Sequence, residues 1–262
     1  MKILLIGDIV AKLGRKAVGE VLPDLVKKEK IDLVIANVEN LSHGKGITEK
    51  SIGEIRNAGV DIMTSGNHIW FKEDFTEVLS KDPTIIRPAN YPADTAGYGF
   101  TYAKVGREKV LIINLIGNQM MNEPTDEPYR TVDAILLDQM EKEKPNVIIV
   151  DFHAEVTSEK VAMGWYLDGR VSVVFGTHTH VPTADTRILP KGTGFVSDVG
   201  MTGAADSVLG VRPDIIIKKQ KDPYPIKFEW VEEGLMVFAS VLVETNKDGT
   251  TKNIKRVDKT LA

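Results

Sequence analysis

Lys2-Ile3-Leu4-Leu5-Ile6-Gly7-Asp8 is the stretch on which the fold turns. Its apolar run, closed by a glycine and a carboxylate, reads as a short strand buried on both faces. Such strands belong to parallel sheets, so a crossover helix should follow. Val18, Val21, Leu22, Leu25 and Val26 supply it, at the i, i+3, i+4, i+7, i+8 spacing of one helix face. Pro23 lies inside that pattern and predicts a kink. Asp32 to Val38 reads as a second strand. Thr48 is placed to cap a helix carrying Ile52 and Ile55, which Gly59 can end. Asp61 to Thr64 reads as a third strand. Strand–helix–strand–helix–strand order implies parallel pairing through right-handed crossovers.

The same alternation continues. Val110 to Leu115 and Val147 to Val150 read as buried strands, separated by a helix on Val132, Ile135, Leu136 and Met140. A helix on Val161, Ala162, Trp165 and Tyr166 should end near Asp168-Gly169, before a strand from Val171 to Phe175. The last third changes period. Ile226, Phe228 and Trp230 alternate, and a run from Met236 to Val243 reaches the turn Asn246-Lys247-Asp248-Gly249, which predicts antiparallel hairpin structure. With no repeat, low-complexity tract or linker, one α/β domain with mixed sheets over residues 1–262 is expected.

Composition narrows the function. At 262 residues, 42% hydrophobic and 27% charged, the chain is neither disordered nor fibrous. A net charge of −4 argues against strong nucleic-acid binding by bulk electrostatics. The absence of cysteine excludes disulfides, Cys-ligated zinc, iron–sulfur clusters and thiol nucleophiles. The N-terminal apolar run is too short for a secretory leader, and Val110 to Ile113 falls far short of the roughly 18 residues a membrane span needs. A cytoplasmic protein without membrane contact is expected.

The chemistry lies at the strand ends. Asp8 follows the first strand, Glu39-Asn40 the second, Asn67-His68 the third, His153 the fourth, and His178-Thr179-His180 the fifth. In a parallel sheet these ends share one edge, where open α/β sheets build their sites. Four of the five histidines in the chain lie there. Any one of them would ordinarily be a hydrogen-bonded surface residue; imidazoles and carboxylates converging together point to a metal. An extended H-x-H would set both rings on one side, because strand side chains alternate. Asp8, Glu39, Asn40, Asn67, His153, His178 and His180 are too many ligands for one tetrahedral ion. They suit two, with a carboxylate bridging cations about 3.5–4 Å apart. Nitrogen and oxygen donors without sulfur favour Fe, Mn or Zn.

Gly66-Asn67-His68, the isolated His153 and Gly176-Thr177-His178-Thr179-His180 resemble the GNH…H…GHxH blocks of calcineurin-like metallophosphoesterases. Val10 stands where the superfamily has a D-x-H histidine, and Glu39 where it has a bridging Asp. Those departures resemble the YmdB-like subgroup, whose pattern also matches Gly44-Lys45-Gly46-Ile47-Thr48, Arg87-Pro88-Ala89-Asn90-Tyr91-Pro92 and Asp198-Val199-Gly200-Met201-Thr202-Gly203. The resemblance runs over essentially the whole chain. It implies a four-layer αββα sandwich of two mixed sheets. It also implies two divalent or mixed-valence metal ions, Fe or Mn before Zn. One would take Asp8, Glu39, Asn40 and His180, the other Glu39, Asn67, His153 and His178, with Glu39 bridging. The implied activity is hydrolysis of 2′,3′-cyclic nucleotides such as 2′,3′-cyclic AMP.

Such a cation pair makes hydroxide available near neutral pH to attack phosphorus in line, and His68, beside Asn67, is placed to protonate the leaving oxygen. Asn67, His68 and, on the loop Ser42 to Gly46, His43 are the candidate substrate-binding residues. The competing class is a metal-binding regulatory protein with little turnover, acting through protein partners; it has no need of His68 beside Glu39. An amidohydrolase-type barrel is set aside, since its H-x-H belongs on an early strand. Asp151, Asp185 and Asp198 are candidates to orient metal-bound imidazoles. Gly14-Arg15-Lys16 lacks P-loop spacing and reads as a solvated helix start. Lys218 to Lys221 reads as a solvated basic cluster. The 118–130 segment is either a lid or a contact in a homo-oligomer, and a small phosphodiester is the expected substrate.

Overall fold

The computed structural model describes residues 1–72 and 76–262. The chain begins β1 (Lys2–Ile6), α1 (Ala11–Glu29), β2 (Leu33–Asn37), α2 (Glu49–Ala58) and β3 (Ile62–Thr64), then passes through a 3-10 turn (Asn67–Phe71) into α3 (Thr76–Lys81). A second series follows: β4 (Phe100–Val105), β5 (Glu108–Ile116), α4 (Pro128–Lys142), β6 (Val147–His153), α5 (Thr157–Leu167) and β7 (Val173–Thr177). After β8 (Arg187–Ile188), β9 (Gly194–Val196) and β10 (Gly203–Ala204) comes α6 (Pro213–Lys221). The chain closes with β11 (Met236–Phe238), β12 (Ser240–Thr245), β13 (Thr251–Arg256) and β14 (Lys259–Leu261).

Two mixed sheets result, and strand periodicity stacks them. One has the order β13-β12-β1-β2-β3, the other β4-β5-β6-β7-β9-β8; a small sheet β10-β11-β14 packs beside α1. β1, β2 and β3 run parallel, as do β5, β6, β7 and β9, while β12, β4 and β8 pair antiparallel. Because successive side chains point to opposite faces, Leu4, Ile6, Val34 and Ala36 meet Val18, Leu22 and Ile55 of the helices. Ile3, Leu5, Leu33 and Ile35 turn the other way and meet Val110, Ile112, Val147 and Ile149 of the second sheet. Leu111, Ile113, Val150 and Phe152 then face Leu136, Met163 and Leu167 of α4 and α5. Helix, sheet, sheet and helix are the four expected layers. Each of the large buried side chains contributes about 1.5–3 kcal/mol.

Local signals read from the sequence hold at α2: Thr48 and Ser51 form a reciprocal capping pair, and Gly59 ends the helix at φ 109°. Four expectations need correction. Trp165 and Tyr166 do not face the core of α5; they are half-exposed, and the buried face is Lys160, Met163, Gly164 and Leu167. Gly164 accounts for this, because a Cβ there would lie 2.5 Å from the Phe195 ring, so the helix presses its glycine to the sheet. Ile226 to Trp230 forms no strand; Trp230 makes one isolated bridge to Val211 and packs against Val10, Ala11 and Met201. β7 starts two residues late and ends at Thr177, and β6 continues through His153. α1 runs continuously through Pro23. Among the described residues no helix is long and apolar enough to cross a membrane.

Candidate metal centre

The C-terminal ends of β1, β2, β3, β6 and β7 bring the strand-end residues together at one place between the sheets. Glu39 lies at the middle. Its Oε1 is 3.5 Å from His153 Nε2, 3.2 Å from His68 Nδ1 and 3.0 Å from Asn40 Nδ2. On one side, His153 Nε2 is 3.2 Å from Asn67 Oδ1 and 3.0 Å from His178 Nδ1. Glu39, His153 and His178 each present one donor atom within 4.8 Å of the others. On the other side, His180 Nε2 lies 3.2 Å from Asn40 Nδ2 and 3.6 Å from Asp8 Oδ1. Asp8, Glu39, Asn40 and His153 are wholly buried or nearly so. Val10 is buried against Ala11, Met201 and Trp230, so the Asp8 side is closed by an apolar wall rather than by another imidazole.

The H-x-H segment reaches this place by a route that alternation does not describe. His178 and His180 lie beyond the strand with φ of 98° and 66°, left-handed values that cost a non-glycine residue about 1–3 kcal/mol. Surrounding bonds hold them. The His178 backbone N–H donates to Asp8 Oδ2 at 3.1 Å, and the His180 carbonyl accepts from Met201 at 3.0 Å. Between them, the Thr179 hydroxyl donates to Asp198 Oδ2 at 2.7 Å, and that carboxylate also takes Lys160 Nζ at 2.6 Å. Lys160 is 2% exposed and Asp198 1%, so this is a buried ion pair beneath the turn. Gly66 is required on the opposite side, because a Cβ there would stand 2.1 Å from His153 Nε2.

The hydrogen bonds also fix which nitrogens are free. Thr177 Oγ1 donates to Asp151 Oδ1 at 2.8 Å and so accepts from His153 Nδ1 at 2.9 Å. Asp151 Oδ2 accepts from Thr64 Oγ1 and from Asn37 Nδ2. His153 therefore keeps its lone pair on Nε2. His178 Nε2 meets Glu155 Oε2 at 3.0 Å, so the neutral ring carries its lone pair on Nδ1. Burial pushes His153 down to about 4, so its ring is neutral at physiological pH. Burial also pushes Asp151 up to about 8, against the bonds from Thr64 and Thr177. For Glu39, burial opposes ionisation, but His153 and His68 outweigh it and hold the carboxyl below the usual range. Asp8 is likewise low, with burial outweighed by His180, and His180 is raised because Asp8 outweighs its own burial.

These residues fit a cation. Buried Asp8 Oδ1 and His180 Nδ1 have no hydrogen-bond partner among the described residues. Two buried carboxylates, three imidazoles and the Asn67 amide oxygen form an N/O donor set that suits divalent Fe, Mn or Zn, while Asn40 turns its amide nitrogen to Glu39 and His180 and its oxygen to His68. Other candidates lie elsewhere. His43 is exposed at φ 49° and lines a small cleft with Arg15, Trp230 and Glu232, outside the bonded cluster. Gly14-Arg15-Lys16 does not open α1, which begins at Ala11; Arg15 is tied to Glu54 and the Leu41 carbonyl. Asp185 binds Ser197 and Thr183, not an imidazole, whereas Asp151 and Asp198 act through Thr177 and Thr179. Lys218 to Lys221 lies on α6 and is exposed. The sequence reading missed Glu155 and Lys160. The first carried a signal, a carboxylate two residues after His153; the second carried none.

A four-layer sandwich with an N/O donor cluster at its shared strand edge defines a metallophosphoesterase-type fold. The family model described as YmdB-like protein matches residues 4–257, and the chain belongs to that family. It is 45% identical over 255 residues to the 2′,3′-cyclic-nucleotide 2′-phosphodiesterase of Bacillus subtilis (strain 168), covering 97% of this chain and 95% of the relative. Among solved structures, a hypothetical protein from Thermus thermophilus superposes with a TM-score of 0.92 at 40% identity, covering 99% of both chains. A structure described as a novel phosphatase from Mycoplasma pneumoniae also reaches 0.92, at 34% identity over 99% of this chain and 93% of that one.

Proposed function

We propose that this chain, acting as one unit over residues 1–262, hydrolyses 2′,3′-cyclic nucleotides such as 2′,3′-cyclic AMP. It does so with two divalent or mixed-valence metal ions, Fe or Mn before Zn, and with His68 as general acid. That it is a phosphoric diester hydrolase follows from its family and from its 45% identity to the Bacillus subtilis phosphodiesterase. The observation that carries the reading is the position of His68. Its Nδ1 lies 2.7 Å from Asn40 Oδ1 and 3.2 Å from Glu39 Oε1, so the acid sits directly against the donor cluster.

Asp8, Glu39, Asn40 and His180 would hold one cation, and Glu39, Asn67, His153 and His178 the other. Bound there, the pair supplies an activated water near neutral pH and neutralises charge on the phosphoryl oxygens. The chain's own residues do the rest. A protonated His68 donates from Nδ1 to Asn40 and Glu39, which keeps its Nε2–H for the departing 2′ oxygen. The His68 backbone N–H donates to Glu39 Oε2 at 2.9 Å and holds that carboxylate in register with the acid. Thr177 and Glu155 keep the proton off the inward nitrogens of His153 and His178. Asn67 and His68 flank the reacting phosphate, while exposed His43 reaches at most the outer part of a substrate.

The protein works in the cytoplasm on this reading, and a second copy of the chain is a compatible partner through the 118–130 segment. Purified protein, stripped of metal and resupplied with Mn²⁺, should open 2′,3′-cyclic AMP to the 3′-phosphate. Retained metal with no turnover of that diester would favour the regulatory role instead.

A further inference from the structure

Phe71 closes the 3-10 turn that carries Asn67 and His68, yet 59% of its surface is exposed. Lys45 Nζ lies 5.5 Å from the centre of its ring and Lys72 Nζ 5.8 Å. Two ammonium groups near one exposed ring let an anion beside it meet two positive charges. The arrangement is anchored to the catalytic edge. Gly46 has a φ of 75°, and a Cβ on it would meet Lys72 Cγ at 3.1 Å, Phe71 Cβ at 3.3 Å and the His68 carbonyl at 3.6 Å. The loop bearing Lys45 and the turn bearing His68 are therefore in close contact. At about 2.0 Å of rise per residue, Phe71 stands about 6 Å along the turn from His68. A neighbouring nucleotide spans that reach; the scissile ring of a mononucleotide does not.

The geometry points to a second nucleotide subsite on Phe71, Lys45 and Lys72, so that the preferred substrate is the 3′ end of a short RNA carrying a 2′,3′-cyclic phosphate. The inference rests on the phosphodiesterase reading above and names its substrate class. The penultimate base stacks on Phe71, and the phosphodiester joining the last two nucleotides lies between Lys45 and Lys72. The reaction is hydrolysis: water oxygen bonds to phosphorus, the P–O2′ bond breaks, and the 2′ oxygen takes a proton, leaving a 3′-phosphate end. The chain's net charge of −4 limits the contact to this local patch. Binding should depend weakly on salt, with a slope near that of one neutralised phosphate, roughly 0.7 for a single strand.

The test compares 2′,3′-cyclic AMP with the dinucleotide ApA ending in a 2′,3′-cyclic phosphate, using Mn²⁺-loaded full-length protein. Stacking and the phosphate contact should give the dinucleotide about a tenfold or greater advantage in kcat/KM, mostly in KM. Phe71→Ala should abolish that advantage while the mononucleotide rate stays within about twofold, and Phe71→Trp should retain it. Lys45→Ala with Lys72→Ala should remove most of it and flatten the salt dependence. Equal kcat/KM for the two substrates in the unaltered protein would overturn the subsite, as would equal losses on both in Phe71→Ala. If neither diester is opened, the parent reading fails. The subsite is then judged by the affinity for ApA ending in a 3′-phosphate, which Phe71→Ala should weaken about tenfold; unchanged affinity would overturn it.

Discussion

His153 Nε2 and His178 Nδ1 stand 3.0 Å apart, and both nitrogens face inward. Their other ring nitrogens are engaged by Thr177 and Glu155. With both rings in those neutral tautomers no proton lies between the two nitrogens, and a shared cation would take that place. Two nitrogens held by one cation at about 2.0–2.1 Å each would stand about 3.0–3.4 Å apart. The spacing suits a shared cation, and the left-handed backbone at His178 is the cost of turning that ring inward.

Glu155 should act on metal affinity through the tautomer of His178. Glu155→Ala should weaken binding at this site about 10–100-fold, the usual effect of removing a carboxylate behind a ligating imidazole. Glu155→Gln, whose amide oxygen still accepts from Nε2, should retain most of the affinity. Competition with a chelator measures both; two variants indistinguishable from the parent would discard the role.

Lys160 should be a stability determinant that supports the histidine turn. Lys160→Met strands the Asp198 carboxylate inside the protein and should cost about 3–5 kcal/mol in denaturant unfolding. Lys160→Met combined with Asp198→Asn should recover a large part of that loss, because the stranded charge is gone. Additive losses in the pair would mean that the two side chains do not share one interaction.

Gly66→Ala tests how closely the turn and the ring fit. The added Cβ would collide with His153 Nε2, so metal occupancy should fall sharply while far-UV circular dichroism stays native. Unchanged occupancy would show that the ring can move aside without loss.

His68→Ala should leave metal content intact and slow hydrolysis of cyclic nucleotides by about 10²–10⁴-fold. Esters with a nitrophenyl leaving group, which departs without protonation, should lose far less. Equal losses on both substrate types would remove His68 as the acid.

The candidate ligands were legible because each sits where an apolar run stops, and a parallel sheet puts such stops on one edge. Asp8, Glu39, Asn67, His153 and His178 all meet there, as that argument requires. What the sequence hid depends on contacts between distant segments. Lys160 reads as a solvent-facing helix lysine until Asp198, 38 residues on, is brought beneath the same turn. Trp165 and Tyr166 read as core because they fall four residues after Val161 and Ala162, whereas Gly164 sits on the buried face because Phe195 needs the room. The H-x-H rings do converge, but by left-handed turns held by Asp8 and Asp198, which periodicity cannot express. Phe71 was invisible for the opposite reason: its exposure is known only once the turn is built.

The most direct measurement is metal content per chain in purified protein and in Glu39→Gln, each assayed with bis-nitrophenyl phosphate after chelation and Mn²⁺ resupply. Two ions per chain with restored turnover in the parent, and reduced occupancy without turnover in Glu39→Gln, is the predicted result. One ion per chain, or full occupancy and activity in Glu39→Gln, would contradict a pair of cations sharing Glu39.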